Sequence, residues 1–398
     1  MKKKFFVILI ILSFFTVDAT IGYYKEQKKI KEDSQEEIRA IYISYLEYLN
    51  NFYGHSKSFN EKKIDEMIDN VLNMGFNVII LHVSPFSDSI YPSQIFPYSY
   101  TLTGEEGRNP GFDYLAYFLT KAHQKNLLLY AWINPYRVSF DNNLEKISQD
   151  NPVYKLINTS NIKMDKKGIY YNPASEIVKN LILRQIEEII DHYDVDGIHF
   201  DDYFYLQDDI DKLEYHNYLR GGGDLSLRDF RLYHTNDLIK RVYTLIKKKN
   251  PHILFSIAPD GNINNNYLYH YADVKTWLKD SSYVDIIMPQ IYYGFYNEYE
   301  PFIDNLTKWE KLKTDDNVQI VPILAFYKCG FIDEGAGTGK NEWVNSDDII
   351  KRQIILLRNR NLLGYGLFRY DYLFDSDLLN ERSVKESENL QKINKKYG

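Results

Sequence analysis

The sequence predicts an α/β fold, a (β/α)8 TIM-like barrel with long loops at the C-terminal ends of its strands. Three observations lead there. From Ile38 onward, short apolar runs alternate with amphipathic segments of helical period, the pattern of βα units. Eight such runs close into a barrel more naturally than they spread into an open sheet. Finally, run after run ends in Asn, Gln, Arg, Asp or aromatic residues, as expected where all the βα loops converge on one functional face.

The first strand is read over residues 38–45. A helix over 61–74 carries Ile64, Met67, Ile68, Val71 and Leu72 on one face and stops at Gly75. The second strand, 77–84, leads into a long loop with four prolines, 85–111. A helix over 112–125 precedes the third strand, 127–134, and a second long excursion covers 135–173. The helix over 176–192 buries Ile177, Leu181, Ile186, Ile189 and Ile190. It delivers the fourth strand. Beyond it come a helix over 229–248, the fifth strand over 252–259 and a short helix over 274–281. The sixth strand is 284–292, followed by a helix over 299–312, and the seventh is 318–326. A helix over 347–360, with Ser346 as its cap, leads to the eighth strand, 363–370.

Residues 38–375 thus make the barrel, and 376–398 read as a polar C-terminal extension with a final helix at most. At the other end, residues 1–21 form a signal peptide or N-terminal membrane anchor: lysines at 2–4 precede an uncharged apolar run at 5–17. That run is shorter than the roughly 20 residues of a membrane span. Small residues around Ala19 offer a cleavage point. Residues 22–37 are a polar tether. The expected location is extracytoplasmic, secreted or held at the membrane by this apolar segment. A net charge of -7 gives no basic footprint for nucleic acid. The single thiol, Cys329, forms no intramolecular disulfide and is expected to be buried and inert.

The fourth strand carries the chemistry. Residues 195–205 read Val-Asp-Gly-Ile-His-Phe-Asp-Asp-Tyr-Phe-Tyr. Strand alternation puts Gly197, His199, Asp201 and Tyr203 on one face and Ile198, Phe200 and Asp202 on the other. With the apolar pair toward covering helices, His199 and Asp201 face the barrel axis. A buried ionised Asp costs several kcal/mol unless it is paired. An Asp-Asp pair also suits a helix cap, but at a strand's C-terminal end we read a catalytic carboxylate. Asp196 is read as part of a turn.

Around it, the other strand ends supply His82, Asp88, Trp132, Asn134, Arg137, Asp260, Gln290, Tyr292, Tyr327 and Arg369. His82 serves equally as a hydrogen-bonded core residue or a sugar contact. Arg137 and Arg369 are placed to pair with Asp201 or Asp202, which would hold a carboxylate ionised.

These segments together resemble the glycosyl hydrolase-like ten family of bacterial barrel domains. The likeness rests on Val83 to Ser93, on Ala131-Trp132-Ile133-Asn134-Pro135-Tyr136-Arg137, and on Asp196 to Tyr205. It extends to Pro289-Gln290-Ile291-Tyr292 and Gly339-Lys340-Asn341-Glu342-Trp343. The resemblance covers roughly residues 38–371. It implies a glycosidase-like barrel with an extracytoplasmic role on a cell-wall glycan, such as a peptidoglycan strand, or another polysaccharide. Asp196, Gly197 and Asp201 also resemble the fourth-strand motif of the α-amylase clan, in which the second Asp is the nucleophile and the residue two earlier supports it. Here that residue is His199. The clan's acid after the fifth strand is Glu, and this sequence has Asp260, which leaves the acid open.

Glycoside cleavage passes through an oxocarbenium-like transition state and uses two carboxyl groups in different protonation states. Asp201 is expected to be nucleophile or charge stabiliser, steadied by Arg137, His199 or Arg369. Asp260 is the first choice for general acid, with Asp202 and Glu342 behind it. Tyr203, Tyr292 and Trp132 are candidates to stack on sugars, and Asn134 and Gln290 to bind hydroxyls. No metal-site spacing occurs, so neither metal nor cofactor is expected. Two other readings use the same barrel: a non-catalytic carbohydrate-binding protein and a polysaccharide deacetylase.

Overall fold

The computed structural model describes residues 36–397 except Tyr203 and Asp208. The apolar run at 5–17, read as signal or anchor, and Tyr203 lie outside these residues. Among the described residues no helix is long and apolar enough to cross a membrane.

Eight parallel strands close on themselves. They are β1 (Ile38–Ile43), β2 (Val78–Ser84), β3 (Leu128–Ile133), β4 (Gly197–Phe200), β5 (Leu254–Ile257), β6 (Ile286–Ile287), β7 and β8 (Gly364–Phe368). β7 is split into Gln319–Ile320 and Ile323–Ala325. Its first segment pairs with β6 and its second with β8, which in turn pairs with β1, so the ring is complete. Pro322 causes the split, because it has no N–H to give the ladder; its carbonyl still accepts from the Gly366 amide at 2.9 Å.

Alternation along each strand builds two apolar layers. Ala40, Tyr42, Val78, Ile80, Tyr130 and Trp132 fill the barrel, while Ile41, Ile79, Leu81, Ile198 and Phe200 pack outward against the helices. Tyr130 explains Gly197: a Cβ at that position would lie 2.6 Å from the Tyr130 ring. Each buried large side chain contributes about 1.5–3 kcal/mol of apolar transfer.

The structure departs from the sequence expectations in several places, among them Ile177 and Leu72, which are exposed rather than on the buried helix faces, and the sixth strand, which shortens to Ile286–Ile287. β1 ends at Ile43, because Ser44 caps helix α1 (Tyr45–Asn51) in a capping box with Glu47. The excursion after β3 is not irregular throughout; it folds an antiparallel sheet of Arg137–Ser139, Ile162–Asp165 and Gly168–Tyr171. A helix over Lys212–Arg220 lies in the connection after β4. The helix expected from 347 begins at Ile349, and Ser346 donates to Asp348 at 2.9 Å instead of capping it. The C-terminal stretch is a docked helix, α2 (Glu381–Tyr397), and belongs to the same compact unit as the barrel. Its Leu390 and Asn394 are fully buried, with Asn394 bonded to the Met74 carbonyl and to the Tyr365 hydroxyl. The inward stripe of α2 is mostly polar, Ser383, Glu386 and Asn394 finding backbone partners, so it carries little apolar helical period in the sequence. Cys329 is buried, and burial pushes its thiol well above its ordinary range.

Candidate active site

At the C-terminal end of the barrel a pocket of about 380 Å³ opens among the strand ends. Its floor is the top of the inner apolar layer, Tyr42, Ala258 and Ile323. β2 contributes His82, just before a register shift between His82 and Ser84; such irregularities re-aim side chains. β3 contributes Trp132, and the turn after it Asn134 and Arg137. The segment after β4 contributes Asp201 and Asp202, that after β6 Gln290 and Tyr292, and β8 its last residue, Phe368.

Strand alternation would turn Asp202 away from Asp201. β4, however, ends at Phe200, so the pleat no longer governs, and both carboxylates line the pocket. Asp201 is 4% exposed and accepts from the Trp132 indole N–H at 3.2 Å. Burial pushes the Asp202 carboxyl up; His270 opposes this, Asp260 adds to it, and Gln290 hydrogen-bonds the charged form, the net result being a raised value. One wall therefore carries two carboxylates, of which Asp202 is biased toward keeping its proton.

Beneath them, His199 faces the barrel axis as expected and is fully buried. Its Nδ1 meets Ser256 Oγ at 2.7 Å and its Nε2 the Tyr42 hydroxyl at 3.2 Å. Burial lowers it to about 3, so it is a neutral bridge within the barrel and not part of the pocket lining. His82 is different. It is 3% exposed, stacks on Trp132 at 3.7 Å and 6°, and neither ring nitrogen has a hydrogen-bond partner among the described residues. Burial, aided by Arg137 and His199, holds it far below the usual histidine range, so it presents one N–H and one lone pair. Arg137 lines the same wall with its guanidinium 4.7 Å from the Phe140 ring.

Several expected site residues lie elsewhere. Arg369 does not steady Asp201; it binds Glu47 at 2.7 Å and Asp371 at 3.3 Å, a pair of acids brought to it by α1 and the turn after β8. Asp260 is outside the pocket lining. Burial would raise it, but His270, the Asn262 amide and Asn265 outweigh that and hold it below the ordinary carboxylate range, the wrong direction for a proton donor. Glu342 accepts from the backbone amides of Phe295 and Tyr296 and stabilises that loop. Asp88 accepts from the Phe86 amide at 2.9 Å and lies buried under the loop after β2. Tyr327 packs edge-on to Tyr292 at 5.6 Å and to Phe368 at 6.2 Å, and lies behind those two rings.

The pocket also includes Ser44, Tyr45 and Phe368, which the sequence places at strand ends, and Leu46 and Phe140, which were not singled out from it. Tyr42 was accessible to the same alternation argument as His199, since it follows Ala40 on the inner face of β1. Phe140 carried no signal, because it comes from an excursion whose path the sequence does not give. Among the described residues, no group of three or more His, Cys, Asp or Glu side chains could hold a metal ion.

Over residues 37–336 the chain matches the family model described as Glycosyl hydrolase-like 10. It is 32% identical over 286 residues to the glycosyl hydrolase YngK of Bacillus subtilis strain 168, a match covering 66% of this chain and 55% of that protein. The chain thus spans about half the length of that relative. To the glycosyl hydrolase DigH of Escherichia coli K12 it is 29% identical over 335 residues, 77% of this chain and 75% of that one. Among solved structures, the glycoside hydrolase domain of PgaB (BpsB) from Bordetella bronchiseptica superposes with a TM-score of 0.59. That match covers 90% of this chain and 98% of the other at 14% identity, a likeness of fold alone.

Proposed function

Because the chain belongs to the glycosyl hydrolase-like 10 family, we propose that it is a glycoside hydrolase acting outside the cytoplasm on a cell-wall glycan, with peptidoglycan glycan strands as the first substrate to test. The observation that carries this reading is the pair Asp201 and Asp202 on one aromatic-lined pocket, with Asp202 biased toward its protonated form. Glycoside cleavage needs that division of labour.

In this mechanism Asp202 gives its proton to the glycosidic oxygen as the bond from that oxygen to the anomeric carbon breaks. Asp201, ionised and oriented by Trp132, stabilises the positive charge that develops on the sugar. Water then adds its oxygen to the anomeric carbon and returns a proton to Asp202. Tyr45, Trp132, Tyr292 and Phe368 offer rings to sugar faces, while His82, Asn134 and Gln290 offer hydrogen bonds to hydroxyl or amide groups. The apolar N-terminal run would carry the barrel to the cell wall or hold it at the membrane.

The test incubates the full chain with peptidoglycan glycan strands, with and without stem peptides, and with neutral polysaccharides. Mass spectrometry reads new reducing ends. New ends that vanish in Asp201→Asn and Asp202→Asn establish the reaction and its polymer. Binding without cleavage of any polymer, unchanged in both variants, would make this a carbohydrate-binding protein.

A further inference from the structure

The long connections after β2 and β3 build a second cavity, of about 450 Å³, beside the first. One side chain belongs to both. Phe140 lines the pocket that holds Asp201 and Asp202, and it lines this neighbour as well. Around it the rings form a continuous row. Tyr45, in the first cavity, meets Phe86 at 4.8 Å and Phe140 at 6.2 Å. Phe86, in the second, meets Phe140 at 4.8 Å and Tyr100 at 5.8 Å. Phe140 stays 50% exposed even with the Arg137 guanidinium 4.7 Å from its ring. A phenylalanine half in water forgoes part of the transfer energy that burial would bring. Here that ring is the wall between two cavities.

The second cavity has a fixed frame. Asn151, itself buried, donates to the Ser87 carbonyl at 3.0 Å and to Glu106 at 2.7 Å, which ties the excursion after β3 to the loop after β2. Ser87 in turn bonds the Tyr171 hydroxyl at 2.7 Å. On the other side Lys146 pairs with Asp141 at 2.6 Å, and the Tyr154 hydroxyl donates to the Leu144 carbonyl at 2.7 Å, holding the short turn Leu144–Lys146. Val138 and Ile147 make a buried apolar floor, while Glu105, Glu106, Asp141 and Glu145 surround it with Lys146. Rings below and carboxylates around suit a neutral sugar. Its C–H face packs on the aromatics and its hydroxyls donate to carboxylates, whereas an anionic substituent would meet like charge.

We infer that the cavity beyond Phe140 is a subsite for a neighbouring sugar of the same glycan, so that the chain lies across the Phe140 ring and long chains bind better than disaccharides. This deepens the proposed glycoside hydrolase reading of the first pocket and rests on it. Continuity identifies the occupant. A ligand confined to the first pocket leaves Tyr100 and the outer part of the aromatic row in water; a chain running on from that pocket covers them.

The test is calorimetric titration of the full chain carrying Asp201→Asn, so that nothing is cut, with linear β-1,4-linked N-acetylglucosamine oligomers from the disaccharide to the hexasaccharide. Affinity should rise about tenfold along that series, the upper end for one aromatic stacking contact. Phe140→Ala should flatten the series, and Phe140→Trp, which keeps a ring, should restore it. Tyr100→Ala should lower affinity for the hexasaccharide more than for the disaccharide. A series already flat with Phe140 in place overturns the inference, and that result needs no change in the second cavity. So does failure to bind any member, or a folded Phe140→Ala protein that keeps the full rise. Reducing ends released by the unmutated protein separate the two readings. A length-dependent affinity abolished by Phe140→Ala, with no cleavage of any oligomer or polymer, would sink the hydrolase and leave the subsite standing.

Discussion

Glu47 and Asp371 form one pair of buried carboxylates at the strand ends of this barrel, and Asp201 and Asp202 form another. In both pairs burial raises at least one member: Glu47 to about 7, by burial and the nearby Asp371, and Asp202 by burial and Asp260. The surroundings differ. Arg369 spans Glu47 and Asp371, Ser44 and its amide bind Glu47, and Asn50 donates to Asp371 at 3.1 Å. Of that cluster Ser44 lines the cavity, but Glu47, Asp371 and Arg369 do not. Asp201 and Asp202 instead line an open pocket. Perturbed protonation alone therefore does not mark a reactive site in this molecule; perturbation together with access does. The sealed pair instead clamps the wall carrying Ser44, Tyr45 and Leu46 to the one carrying Phe368.

The sharpest way to break this comparison is to neutralise one acid of the open pair. Asp202→Asn should lower glycan cleavage about 10³-fold, within the range for loss of a general acid, and leave the melting temperature nearly unchanged. Turnover surviving in Asp202→Asn would remove the acid from that residue. The sealed pair should respond in the opposite sense. Arg369→Ala leaves two buried acids without their cation and should cost about 3–5 kcal/mol of stability, read by denaturant unfolding. A folded Arg369→Ala protein of normal stability that no longer cleaves glycan would erase the distinction between the pairs.

The same contrast explains what was legible in the sequence. Barrel order, the inward His199 and the Asp201 position followed from alternation and from the rule that chemistry sits at strand C-termini. The partner of Arg369 did not, because Glu47 belongs to a helix hidden behind what reads as a continuing strand; only the Ser44-to-Glu47 capping spacing marked it. Asp260 held the expected place after the fifth strand, but its three donors come from residues 262–270, whose tight turn has no sequence period. Asp202 shows the reverse case. Alternation pointed it away from the pocket, and the end of β4 at Phe200, two residues earlier, brought it back.

A smaller effect tests how far the open pocket is left unsatisfied for a ligand's sake. His82→Phe keeps a ring against Trp132 and removes two unpartnered nitrogens. It should weaken glycan binding about tenfold, the upper end for one neutral hydrogen bond, while leaving stability unchanged or slightly higher. Calorimetric titration with a non-cleaved oligosaccharide in an Asp201→Asn background reads the first, and thermal unfolding the second. Lower stability with unchanged affinity would return His82 to the core.

The smallest effect belongs to the sealed pair and to pH. Glu47 sits at about 7 in the folded protein, against about 4.3 for an unperturbed glutamate. Its folded form therefore holds a proton that the unfolded chain has already lost between those values. The stability this gives is full below the lower value and disappears as pH rises through about 7. Glu47→Gln, uncharged at every pH, escapes that loss. The melting temperature of Glu47→Gln relative to the unmutated protein should therefore improve by about 2 °C from pH 6 to pH 7, roughly 1 kcal/mol in a domain of this size. A gap that stays constant across that range would mean Glu47 remains ionised beside Arg369 throughout. The two carboxylate pairs would then differ in charge state as well as in access.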